Sequence, residues 1–193
     1  MGVLRRVSQS ASLPGMPAPG AGFEAPFEML VACHERVARM LVLLARLQLH
    51  LRDQGRDEAA RQAARDVMRY FDLAAPLHHQ DEELHVFPPL LAGTDVALAA
   101  VVQRLLRDHR DMEAAWPMAR EVLLGIAESP AHDWAALAPG QTLALNNFAA
   151  LYARHMADED QLVYPAAHAV LTGDDLQTMS QDMMQRRGVP RPT

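Results

Sequence analysis

Residues 78–88 read HHQDEELHVFP, and residues 155–165 read HMADEDQLVYP. Both follow one pattern, His-x3-Glu-x4-aromatic-Pro, with His78, Glu82, Phe87 and Pro88 in the first and His155, Glu159, Tyr164 and Pro165 in the second. Residues four apart on an α-helix project from one face, so each pair sends an imidazole and a carboxylate the same way. One His-x3-Glu alone reads as an ordinary surface pair that contributes little. Its repetition, with the matching aromatic and proline, points instead to two helices contributing to a shared inward-facing site, with each proline expected to end its helix shortly beyond.

Around these stretches the chain is helical in period. Helix one is predicted from about Pro26 to Arg52, with Phe27, Leu30, Val31, His34, Val37, Leu41 and Leu44 along one stripe. Helix two runs from Asp57 into His85, with Pro76 expected to kink it. Helix three starts at the Thr94-Asp95 cap and reaches about Ala127, bent at Pro117, and helix four spans Gln141 to Val163. Thr172-Gly173-Asp174-Asp175 caps a short fifth helix that reaches Arg187, where Met183-Met184 suggest packing across the other helices or a partner. No alternation of period two competes. The expectation is an all-α, up-down-up-down four-helix bundle with a short extra C-terminal helix, covering 26–187. A Ser/Pro/Gly/Ala-rich arm (1–25) is expected to be disordered, with a tail at 188–193.

An antiparallel bundle brings ligands together only at matching heights, so the segments flanking each turn should be equal in length. His78 to Gly93 equals Thr94 to His109, and His34 to Gln54 differs from Asp57 to His78 by one residue. The third pair, His109 to Glu128 and Gly140 to His155, agrees within about one turn at ~1.5 Å per residue. His34, His78, His109 and His155 therefore lie near one level, one per helix.

Four imidazoles and two carboxylates buried together are costly without a cation. The set is nitrogen and oxygen with no thiolate, which suits iron or manganese over copper(I) or structural zinc. Six donor residues exceed zinc's usual four and suit two ions bridged by Glu82 and Glu159. Three neighbours are weighed for an additional or outer role. They are Glu113, one turn beyond His109; His79, one residue off the ligand face; and Glu83, which would serve if the helix were rotated. His85 is read as an outer group or a surface residue, His50, His132 and His168 as ordinary surface or packing residues, and Tyr70, Tyr152 and Tyr164 as core aromatics able to border the cavity as donors.

Composition excludes much else. All basic residues are Arg, the formal charge is −6, and the Arg residues are scattered among acids. No basic stripe for nucleic acid or membrane results. Cys33, the single cysteine, precludes an internal disulfide and reads as an inert thiol. No stretch approaches the roughly 18 apolar residues of a membrane span, and Arg5-Arg6 is followed by no apolar signal core. A cytoplasmic protein is expected.

The ordered set His34, His78-x3-Glu82, His109, His155-x3-Glu159 resembles the hemerythrin-like, or HHE cation-binding, domain over about residues 26–187. The resemblance implies a non-haem di-iron centre with an oxo or hydroxo bridge, Glu82 and Glu159 spanning the irons. Where oxygen-carrying hemerythrins have a second His beyond the helix-three ligand, this chain has Glu113. The implied role moves accordingly toward bacterial hemerythrin-like proteins associated with nitric oxide or oxidative stress, iron handling, or repair of iron centres. A small diatomic ligand or peroxide is the expected partner. The alternative is an iron-responsive regulatory, storage or repair module acting through a protein partner or a second copy.

Overall fold

The computed structural model describes residues 22–129 and 136–190. Most of the expected N-terminal arm, His132 and residues 191–193 of the tail lie outside the described residues. Within them the chain is all-helical, with no strand. Helix α1 (Pro26–Asp53) opens on a proline, whose missing N–H costs nothing in a first turn. It ends at Gln54, followed by Gly55 at φ +77°, a left-handed turn residue. Asp57 then caps α2 (Glu58–Asp81) by accepting from the Ala60 amide at 2.8 Å.

The chain continues without a break through a π-helical turn, Glu82–Val86, into α3 (Phe87–Leu91). Asp95 caps α4 (Val96–Glu128), whose C-terminal carbonyls at Ala127 and Ser129 accept from the Arg61 and Arg56 guanidiniums at 2.6–2.9 Å. A second composite arm follows. It comprises α5 (Pro139–Ala150), α6 (Tyr152–Asp158), a second π turn (Glu159–Val163) and α7 (Tyr164–Val170). Last comes α8 (Gly173–Arg186), closed at its start by a reciprocal Thr172–Asp175 capping box.

The two π turns correct one expectation. Pro88 and Pro165 do not end their helices, which run on to Leu91 and Val170. A proline inside an α-helix lacks a donor and drives its ring against the carbonyl four residues back. Here the residue before each proline bonds five back instead, Phe87 N–H to the Glu82 carbonyl and Tyr164 N–H to the Glu159 carbonyl. The widened turn accommodates the ring, and it begins in both arms on the Glu of the repeat. Pro76 and Pro117 likewise lie inside unbroken helices, on exposed faces where water can serve the freed carbonyls.

α1 packs on α2, α2 on α4, α4 on α5, and α5 returns to α1. The buried apolar residues form two clusters. One includes Val37, Leu44, Phe71, Met112, Leu123, Leu145, Phe148 and Tyr152, and the other includes Leu30, Val86, Phe87, Leu105, Val163, Tyr164, Met179 and Met183. Each arm crosses from one cluster to the other through polar residues: Leu30–His34–Val37, Ala75–His78–Glu82–Val86, Leu105–His109–Met112 and Tyr152–His155–Glu159–Val163. The result is a buried polar layer with apolar layers on both sides. Val31, expected on the inner stripe of α1, is 42% exposed, because its neighbour Leu30 takes the core position.

α8 lies across α1 and α2. Met179 and Met183 are fully buried there, and Arg186 and Arg187 donate to the fully buried Asp81 at 2.6 and 2.5 Å. His85, at 2.7 Å from Asp182, adds a further tie between α8 and the first π turn. No helix among the described residues is long and apolar enough to cross a membrane.

Candidate metal centre

Inside the polar layer, eight charged or ionisable side chains are buried: His34, His78, His79, Asp81, Glu82, His109, His155 and Glu159. The structure therefore brings together all six residues of the sequence pattern. It divides them around two foci. His34, His78, Glu82 and Glu159 offer donor atoms all within 4.8 Å of one another, and His79, His109 and His155 form a second such group.

The two carboxylates lie between the foci, each with one oxygen toward either side. Glu82 turns Oε1 to His78 Nε2 (3.4 Å) and His34 Nε2 (3.9 Å), and Oε2 to His109 Nε2 (3.5 Å). Glu159 turns Oε2 to His34 Nε2 (3.2 Å), and Oε1 to His155 Nε2 (3.1 Å) and His109 Nε2 (3.7 Å). Helix period explains the pairing within each arm, since His78 and Glu82, like His155 and Glu159, are one turn apart.

Acids face three of the outer nitrogens and bond two of them. Asp160 accepts from His34 Nδ1 at 2.8 Å and Glu83 from His109 Nδ1 at 2.7 Å, while Asp108 lies 3.6 Å from His155 Nδ1. A proton on Nδ1 leaves the Nε2 lone pair free to face inward, the arrangement by which outer carboxylates orient metal-binding imidazoles. Sequence reasoning missed Asp160 and the role of Asp108, and it weighed Glu83 for an outer role without naming His109 as its partner. The signal was available, because both repeats carry an acid directly after the Glu, Glu83 in one and Asp160 in the other.

His79, read as a rim residue, faces inward: it is 6% exposed and stacks on His109 at 3.9 Å between ring centroids. α2 packs between α1 and α4. Adjacent residues about 100° apart on such a helix each meet a different neighbour, His78 toward His34 and His79 toward His109. Glu113 belongs to neither group. It is exposed and lines a shallow apolar cleft with Trp116, Phe71 and the outer side of His79. Among the remaining His residues, His50 pairs with Asp57, His85 with Asp182, and His168 packs on Phe27. Cys33 is half-buried; burial pushes its thiol up to about 11, and Tyr70 donates to its backbone carbonyl.

The charges fit a cation. Glu82 Oε2 and both oxygens of Glu159 are buried without a hydrogen-bond partner. Such groups are expensive unless something positive is present. Burial pushes the Glu82 carboxyl well above its usual range, helped by the Glu159 charge. Burial acts the same way on Glu159, but the His109, His155 and His34 imidazoles outweigh it and hold that carboxyl well below. Burial lowers His34, yet its hydrogen bond to Asp160 and the charge of the Glu159 carboxylate beside it raise it to about 9. Burial and neighbouring imidazoles push His78 and His79 well down. Cations bound here would compete with protons for the same side chains.

The family model described as the hemerythrin HHE cation binding domain matches residues 25–167. A protein of Haemophilus influenzae, described as uncharacterized, is 30% identical over 173 residues, covering 90% of this chain and 96% of its own length.

Proposed function

The chain belongs to the hemerythrin HHE cation-binding domain family, and from that premise we propose that it is a di-iron protein that binds or reacts with a small ligand: oxygen, nitric oxide or peroxide. One observation carries this reading. Two buried carboxylates each direct one oxygen toward each of two imidazole groups, as a bridged pair of ions requires. The donors are imidazole and carboxylate without thiolate, which favours iron, with manganese the nearest substitute. His34 and His78 would hold one ion and His109 and His155 the other. Glu82 and Glu159 would span the two, and His79 would add a third imidazole to the second ion.

A di-iron pair supplies redox-active, Lewis-acidic cations to which small diatomics and peroxides bind. The protein's part is to keep that chemistry dry and oriented. The two apolar layers exclude bulk water, and Asp160 and Glu83 fix the tautomers of His34 and His109. We read the architecture serving this site as four arms running up-down-up-down over 26–187, with α8 as an additional helix, in a cytoplasmic protein. The role falls in stress response or iron handling.

Metal analysis tests the reading. Purified protein reconstituted with ferrous iron should retain about two irons per chain. On exposure to air it should develop a near-ultraviolet band that azide or peroxide shifts. Retention of no more than trace iron would overturn it.

A further inference from the structure

In the register of the repeat, Tyr164 stands where the other arm has Phe87. A phenylalanine would fill the same apolar space, so packing alone does not account for the hydroxyl. The ring of Tyr164 is buried and stacks on His34 at 5.3 Å, nearly parallel. Its hydroxyl donates to Glu82 Oε1 and lies 3.1 Å from His34 Nε2. Phe87 stacks on His109 at 5.6 Å and brings no donor to the second focus.

Both acceptors around the Tyr164 hydroxyl are atoms that the di-iron reading assigns to the first ion. An ion would take the single Nε2 lone pair of His34, while Glu82 Oε1 would keep one lone pair beside its metal bond, so the hydroxyl stays at the edge of the first position and can turn to a stronger acceptor bound there. The two positions are unequal in another way. The first has four protein donors (His34, His78 and one oxygen each from Glu82 and Glu159), whereas the second has the same two carboxylates and three imidazoles.

We propose that Tyr164 is the hydrogen-bond donor for the exogenous ligand at the first position. It would select small hydrogen-bond acceptors, such as azide, hydroperoxide or nitric oxide, over a ligand of similar size and weak acceptor strength, such as carbon monoxide. The inference rests on the di-iron reading. As a specificity residue, Tyr164 acts by orienting and holding the ligand, with no proton transfer required.

The test uses the full chain reconstituted with iron, and azide as the probe. In the wild type the azide stretching band should move in D2O, as a hydrogen-bonded azide does. Tyr164→Phe should abolish that isotope shift and weaken azide binding about tenfold, the loss of one hydrogen bond to an anion, ~1.4 kcal/mol. Its iron content should match the wild type. Should Tyr164→Phe fail to fold, 3-fluorotyrosine at position 164, a stronger donor, should move the azide band further than tyrosine does. Wild-type protein that holds iron and binds azide, but shows no isotope shift, would overturn the role of Tyr164 and leave the di-iron reading intact. So would a Tyr164→Phe chain that binds azide as tightly. A wild type that retains no iron overturns both.

Discussion

The stretches 78–88 and 155–165 share a backbone and differ in a few side chains. In both, a His and a Glu one turn apart enter the polar layer, a π turn starts at the Glu, and the helix continues past a proline. In both, the acid after the Glu holds an imidazole from another helix: Glu83 that of His109, Asp160 that of His34. Two of the differences reach the foci, His79 against Met156 and Phe87 against Tyr164. They add an imidazole to one focus and a hydroxyl to the other. Anchoring differs too. Asp81 is fully buried and held by Arg186 and Arg187, whereas Asp158 is partly exposed and held by Arg104 at 2.5 Å. A duplicated scaffold thus supplies the two carboxylates that lie between the foci, and a few substitutions make the two foci unequal.

The likeness of the halves can be broken at its centre. Glu82→Ala and Glu159→Ala should each reduce retained iron from about two per chain to less than one, measured by elemental analysis after desalting. If one of the two variants kept its full iron, the carboxylates would not be equivalent bridges.

The difference in anchoring should be the next largest effect. Removing both guanidiniums with Arg186→Ala/Arg187→Ala leaves Asp81 buried and unpaired, and should cost ~3–5 kcal/mol in urea unfolding. Arg104→Ala, beside the partly exposed Asp158, should cost ~1 kcal/mol or less. Equal losses would mean that α8 is not the distinguishing anchor. Adding Asp81→Asn to the double variant should recover part of the stability by removing the charge. The same contact predicts a pH signature. Burial pushes Asp182 up, but its bonds to His85 and Arg186 prevail and hold it below its usual value of 3.8. Its contribution to docking α8 is therefore complete above that value, and is lost as pH falls through the depressed one. Amide exchange along α8 should accelerate over that range.

The smallest effect sharpens the inequality of the foci. His79→Met, which copies Met156 into the first repeat, should weaken retention of the second ion by roughly 10–100-fold in a chelator titration. An unchanged titration would mean that His79 contributes stacking on His109 and no donor atom.

Much of this centre is legible in the linear order. His34, His78, Glu82, His109, His155 and Glu159 were identifiable because helical period puts i and i+4 on one face, and because matched segment lengths bring four helices to one level. The capping residues Asp57, Asp95 and Thr172 are equally local, since each bonds an amide within three residues. Pro88 and Pro165 were misread for a definable reason. The rule that proline ends a helix assumes four-residue bonding, and a π turn escapes it by bonding five back.

The donor chemistry and its arrival at one level of an all-helical chain follow from the linear order of residues, because residue type and helical period are local properties. Packing in three dimensions was needed to turn His79 inward, to set Asp160 on His34 and Glu83 on His109, and to bring the Tyr164 hydroxyl to Glu82. Those outcomes depend on which helix lies on either side of α2 and on the local widening of each π turn. Residues far apart along the chain set the first.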